Sequence, residues 1–237
     1  MLQAQHTPNM TGVLLSGDPE DFRALYDALH MIFGDSDYEA EDGPAIRVLG
    51  VCYEIRHAFM GHRSAGYKAH GFEDEELAFL SLVGPKQNLF ISFETLWPEM
   101  LYVVFSLESF IQAYKRREKA TLWDPNIAQA RVLQATIFKL VEETVTPKQF
   151  TSFKKWINQE EMQPIQFVQY IDYLNEKWSE MDREQREKNF NIYAKRVSQV
   201  TPDYERQHER IMEAALHYEC DPSEIRFPSD FYEHIEW

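Results

Sequence analysis

Cysteine is nearly missing from this chain: there are two in 237 residues, Cys52 and Cys220. They are too few and too far apart for a disulfide framework or a zinc knuckle, so a reducing, cytoplasmic compartment is expected. Glycine is also sparse, at nine, which leaves little material for a phosphate-cradling loop. No Gly-x-Gly-x-x-Gly, Walker loop, Gly-x-Ser-x-Gly elbow, His-Glu-x-x-His or Cys-x-x-Cys occurs, so the commonest nucleotide, hydrolase and zinc signatures are absent. No cofactor is expected. Positive charge is short as well, with 24 Lys plus Arg against 39 Asp plus Glu, a net charge of -15 and a pI near 5.0. Such a surface repels phosphate backbones and anionic bilayers, which excludes general nucleic-acid binding and membrane association as expected partners. The most apolar run, residues 100–107, falls well short of the roughly 20 residues that span a membrane. Residues 1–10 are polar and lack the cationic start and apolar core of a signal peptide.

Core material is abundant. With 16 Phe, 12 Tyr and 5 Trp, and 44% hydrophobic residues, a chain of this length buries roughly 70–75% of its unfolded surface, so wholesale disorder is excluded. The prolines punctuate it. Asp18-Pro19, Asp124-Pro125, Thr146-Pro147, Thr201-Pro202 and Asp221-Pro222 each place a capping oxygen before a proline at the first helical position, where its missing N–H costs nothing. Trp97-Pro98 and Gln163-Pro164 repeat the arrangement with poorer caps. Asp21, Gln149 and Glu224, three residues past their caps, can reach back to complete capping boxes.

Between these marks, residues 12–16 form a short apolar run expected to be a buried strand, and residues 19–33 carry Phe22, Leu25, Tyr26, Leu29 and Ile32 on one helical stripe. Residues 35–42 are acidic and predict a loop. Residues 44–60 fit a buried helix better than a strand, although Gly50 weakens it. Two apolar runs, 77–83 and 89–93, flank a Gly-Pro-Lys-Gln-Asn cluster and predict a hairpin joining the 12–16 strand in a small sheet. Residues 98–114 are apolar nearly all round, the pattern of a central helix, and Lys115, Arg116, Arg117 and Lys119 close it where the macrodipole favours cations. From Asp124 onward only helical periods appear: 126–143, 148–158, 165–180 and 204–218, with either a break at Asp182 and a new helix through 197, the favoured reading, or one long exposed rod. The expected fold is α+β, a small antiparallel sheet packed with helices and then an all-helical C-terminal half, with the boundary placed between residues 1–119 and 120–237.

Two constellations could carry chemistry. Glu54-x-x-His57 and Glu205-x-x-His208 have the helical spacing of di-iron bundles, and Glu99 and Glu108 could complete such a set. Composition alone produces pairs of this kind, and no metal site is expected. Arg56, His57, His62 and Arg63 form a cationic cluster in an acidic chain. It is either a pocket for a carboxylate or phosphate, with His57 exchanging the proton, or a set of cations that offsets a helix dipole and pairs with the 35–42 loop. Glu99 in the first turn of the apolar helix is likewise a dipole-stabilising anion or a working acid. Cys52 and His57 lie about 140° apart around a helix, which argues against a thiol nucleophile. The aromatic rows Trp156, Phe167, Tyr170, Tyr173, Trp178, Phe190 and Tyr193 have core spacing, with a partner surface as the alternative.

The strings Gly12-Val13-Leu14-Leu15-Ser16-Gly17-Asp18, residues 47–58 (Arg-Val-Leu-Gly-Val-Cys-Tyr-Glu-Ile-Arg-His-Ala) and Trp97-Pro98-Glu99-Met100-Leu101 resemble an uncharacterised bacterial family, a domain of unknown function, over residues 10–115. The resemblance implies a bacterial cytoplasmic origin, on mobile or defence-associated loci, and supplies no catalytic residue. The residues themselves favour a non-catalytic interaction or regulatory protein that self-associates, as a homo-oligomer such as a homodimer, or binds a protein partner through its helical half. The alternative is an enzyme or small-anion or nucleotide sensor with a cleft near Arg56, His57, Arg63 and Glu99, the arginines clamping the anion, His57 as base and Glu99 as acid.

Overall fold

The computed structural model of the chain describes residues 1–34, 43–69, 71–81, 83–157, 167–227, 232 and 235–237. In chain order the elements are β1 (Gln3–His6), β2 (Gly12–Gly17), α1 (Pro19–Phe33), α2 (Gly43–Phe59), β3 (Ser64–Ala69), α3 (Asp74–Phe79), β4 (Gln87–Leu96), α4 (Trp97–Glu118), α5 (Pro125–Thr144), α6 (Pro147–Ile157), α7 (Phe167–Ser179), α8 (Arg183–Ser198), α9 (Pro202–Tyr218) and a 3-10 turn (Pro222–Glu224). This is the α+β arrangement the sequence predicts: an antiparallel sheet among helices, then helices alone.

The caps explain the helix starts. Asp18 accepts from the N–H groups of Glu20 and Asp21 while Asp21 accepts from the Asp18 N–H at 3.0 Å, a closed capping box. Thr146 and Gln149 make the same exchange ahead of α6. Asp182 and Gln185 make it ahead of α8, so the charged stretch after Trp178 breaks rather than continuing as a rod. Asp221 caps only a short 3-10 turn, and Glu224 makes no return bond to it among the described contacts. The predicted loop at 35–42 and the cap at Gln163 lie outside the described residues.

The sheet order is β1-β2-β4-β3, every pair antiparallel. β2 lies against β4 from Gly12↔Leu96 to Gly17↔Ile91. Gly12 is required there, because a Cβ would sit 2.2 Å from the Thr95 carbonyl oxygen. Val13, Leu15, Ile91 and Phe93 are buried, and Phe22 of α1 packs on Phe93 with ring centroids 5.7 Å apart. The expected hairpin needs correction. β4 is one of its strands, but its partner is β3, and residues 74–79 are helical because Glu76 accepts from the Glu73 N–H at 2.9 Å and three acidic residues occupy the first turn. β1, a polar strand, left no apolar period to read.

α4 is the central helix. Trp97, Met100, Leu101, Val104, Leu107, Phe110 and Ile111 are all at most 1% exposed, and it packs on α1, α2 and the sheet on one side and α5, α7 and α8 on the other. One apolar core therefore runs across residue 119, from Leu2 to Tyr204. Trp97 meets Phe190 of α8 edge-on at 4.8 Å, and Tyr102 stacks with Phe167. Of the aromatic rows, Phe167, Tyr170, Trp178, Phe190 and Tyr193 are buried, while Trp156 and Tyr173 are partly so. Truncating any of the large buried rings to alanine costs about 3–5 kcal/mol. Polar ties fix the halves to each other. Arg186 is 5% exposed and donates to the carbonyls of Trp178, Ser179 and Asn9 and to Thr11 Oγ1, so a buried cation sits at the negative end of α7 and binds the β1–β2 turn. Arg117, near the end of α4, likewise donates to the carbonyls of Met31, Ile32 and Phe33 and so serves the C-terminus of α1.

Candidate functional site

The four cations near position 60 stay close together, each engaged by a near neighbour. Arg63 forks onto Glu54, Nε to Oε2 at 2.6 Å and Nη2 to Oε1 at 3.0 Å, and that hydrogen bond holds its pKa above the ordinary arginine value. Arg56 lies 5.4 Å from the centre of the Tyr53 ring. His57 packs on the same ring at 4.2 Å, and its Nδ1 is 3.3 Å from that of His62. Glu99 sits elsewhere, held by Arg47 Nη1 at 2.6 Å and by Asn175 Nδ2 at 2.8 Å. Arg63 and Glu99 line a common pocket, and Arg56 and His57 lie outside its wall.

Local contacts engage Glu54 of the first Glu-x-x-His pair and the His208 ring of the second. Glu54 is bound by Arg63, and His208 stacks on Tyr204 with the rings 7° from parallel. Glu108 is gripped by both Arg131 Nη atoms and by Gln112, and these bonds outweigh the burial that would raise its pKa, so it is lowered. Among the described residues no group of three or more His, Cys, Asp or Glu side chains could hold a metal ion. Burial pushes the Cys52 thiol up to about 12, which keeps it protonated and unreactive.

The pocket lies between α2, β4, the start of α4 and the residues Tyr232 and Trp237, with a volume of about 470 Å³. At its floor, Arg47 bridges Glu99 of α4 and Asp172 of α7. Burial would lower its pKa, but the two carboxylates more than compensate and raise it. Tyr232 accepts from Asn175 Nδ2 at 3.2 Å, and burial, helped by the charge on Glu99, pushes its phenol up to about 12. Arg47 was legible in principle: it shares the helical stripe of Pro44, Val48, Val51 and Ile55, where a lone charge among apolar residues signals a buried ion pair.

A second feature lies away from this pocket and carries no burial pattern. No described residue from 59 to 90 is buried, and β3 and α3 have no buried residue at all. β2 ends its pairing with β4 at Ile91, so residues 87–90 project beyond the sheet with β3 as their strand partner. The resulting arm exposes Tyr67 (71%), Phe79 (88%) and Val83 (103%), with Phe72, Leu80 and Leu89 beside them. Phe72, Phe79 and Leu80 border a groove of about 380 Å³.

The sequence matches the family described as Domain of unknown function (DUF6904) over residues 2–237. The chain belongs to that family. No curated protein and no solved structure matches it. The DUF6904 match covers nearly the whole chain, so that the projecting arm, the pocket residues on α2, β4 and α4, and Trp237 at the pocket wall all fall inside one family domain. No described helix of this DUF6904 protein is long and apolar enough to cross a membrane.

Proposed function

We propose that this DUF6904 protein is a non-catalytic interaction protein of the bacterial cytoplasm that self-associates through its projecting arm. The observation that carries the reading is the arm's exposure: a two-stranded ribbon is marginal in water on its own, and this one displays aromatic side chains with no core beneath them. A second copy suits the surface better than a heterologous partner. β3 is an edge strand of the sheet, and antiparallel pairing of two β3 strands about a two-fold axis would join the two sheets into one. The groove at Phe72, Phe79 and Leu80 can take a ring from the opposite arm. The arm carries both signs of charge, Arg63, Lys68 and Lys86 with Glu73, Asp74, Glu75 and Glu76, so a two-fold mate can set unlike charges together. Three exposed rings contribute about 400 Å², half of the roughly 800 Å² per partner that a standard interface buries.

In this proposal the contact surface is residues 61–90 rather than the helical half. In the helical half, large exposed apolar side chains occur in short groups such as Leu122–Trp123 and Leu216–Tyr218. The interaction reading is favoured over the catalytic alternative because Arg56 and His57 do not line the pocket that Arg63 and Glu99 share. Two free cysteines, one buried, suit a reducing compartment. Light scattering on purified protein tests the proposal: a dimer is expected at micromolar concentration, and Tyr67→Asp or Phe79→Asp, both at exposed positions, yields a folded monomer. A wild-type monomer across the concentration range, or a dimer indifferent to both substitutions, overturns it.

A further inference from the structure

We propose that the pocket between α2, β4 and α4 binds a small organic ammonium ion, with Glu94 as counter-charge and Tyr53, Tyr232 and Trp237 as ring contacts. The charge balance of the wall argues for a cation. Both guanidiniums that line it are already engaged, Arg63 bidentate on Glu54 and Arg47 shared by Glu99 and Asp172. An incoming anion would have to displace a carboxylate held at 2.6 Å in each case. Glu94 is different: among the described residues no basic side chain pairs with it, and burial alone raises its pKa. Taking the wall residues Glu54, Glu94 and Glu99 against Arg47 and Arg63 leaves one negative charge in excess, and it belongs to Glu94.

The rest of the wall fits the same class of ligand. Tyr53 and Tyr232 are 49% and 45% exposed; Arg56 and His57 pack against the Tyr53 ring, and Tyr232 is held at its hydroxyl by Asn175. Trp237 lines the pocket and is partly buried against the core, its ring beside Gly12 and its main-chain oxygen accepting from Asn9 Nδ2 at 3.0 Å. Aromatic faces beside a carboxylate attract an alkylammonium through both charge and ring quadrupole. A volume of about 470 Å³ falls within the size range of small-molecule pockets and admits a compact cation.

Choline is the probe, with its uncharged isostere 3,3-dimethylbutan-1-ol and inorganic phosphate as controls, each titrated against the full chain by calorimetry and by tryptophan fluorescence. Choline is expected to bind, the isostere about tenfold or more weakly, and phosphate not at all. Glu94→Gln, at an exposed strand position that leaves the core untouched, is expected to reduce choline affinity about tenfold, and Tyr53→Ala to reduce it further. No choline binding, equal binding of the isostere, unchanged affinity in Glu94→Gln, or competition by phosphate each overturns the proposal. Because Arg63 is the one arm residue in this wall and Tyr67 is not part of it, the monomeric Tyr67→Asp protein is expected to bind choline as the wild type does.

Discussion

His6 shows how one residue ties its protonation state to the fold. Trp97 Nε1 donates to His6 Nδ1 at 3.1 Å, so that nitrogen must be bare, and Nε2 carries the hydrogen toward Thr144 Oγ1 at 2.8 Å. Thr144 passes its own hydrogen to the Leu140 carbonyl at 2.6 Å. A proton on Nδ1 would face the indole N–H, and burial together with the charge on Arg183 lowers the pKa below its ordinary 6.5. The folded protein thus binds this proton less readily than the unfolded chain. Its contribution is fully present above the unfolded value and is lost as pH falls below about 6.5. The urea midpoint of the wild type is expected to decline between about pH 7 and pH 5.5, with a shallower decline in His6→Gln. Parallel slopes for the two proteins would show that His6 is not held neutral.

At the scale of elements, the arm and the core respond to opposite rules. The core elements announce themselves: α1 carries a box and a stripe, α4 is apolar nearly all round, and the break at Asp182 is written in a cap followed three residues later by Gln185. β3 and α3 could not be read this way. A strand whose every residue is exposed has no alternation of burial, and Ser-Ala-Gly-Tyr-Lys-Ala has weak strand propensity, so the apolar run at 77–83 drew the assignment instead. The candidate pocket was half legible for a related reason. Arg63 and Glu99 stand out by charge, but Glu94 gains its significance only from register, opposite Leu14 on β2, and Tyr232 and Trp237 only from tertiary packing. Because the arm contributes nothing to the core, replacing residues 64–90 by about four Gly/Asn residues is expected to leave β2–β4 pairing from Gly17↔Ile91 onward intact. The excised protein should melt within about 5 °C of the monomeric Tyr67→Asp variant in a calorimetric scan. A collapse of the transition would show that the arm is a structural part of the domain.

At the scale of the whole molecule, the net charge of -15 sets the terms on which two copies can meet. Like charges spread over both surfaces oppose approach, and at about 20 mM salt that repulsion reaches across more than 20 Å, whereas at about 200 mM it is screened within about 7 Å. The arm's own contacts depend differently on salt. Strand pairing and the burial of Tyr67, Phe72 and Phe79 are short-ranged and not weakened by screening, while pairs between α3 carboxylates and Lys68 or Lys86 of the mate are exposed and contribute little. Salt should therefore remove more repulsion than attraction. Sedimentation equilibrium is expected to show a dimer dissociation constant that falls about three- to tenfold between about 20 mM and 200 mM NaCl, with the arm-excised protein monomeric at both. A dimer that loosens in salt would instead place the binding energy in the charge pairs, and one that survives excision would place the interface on another face of the molecule.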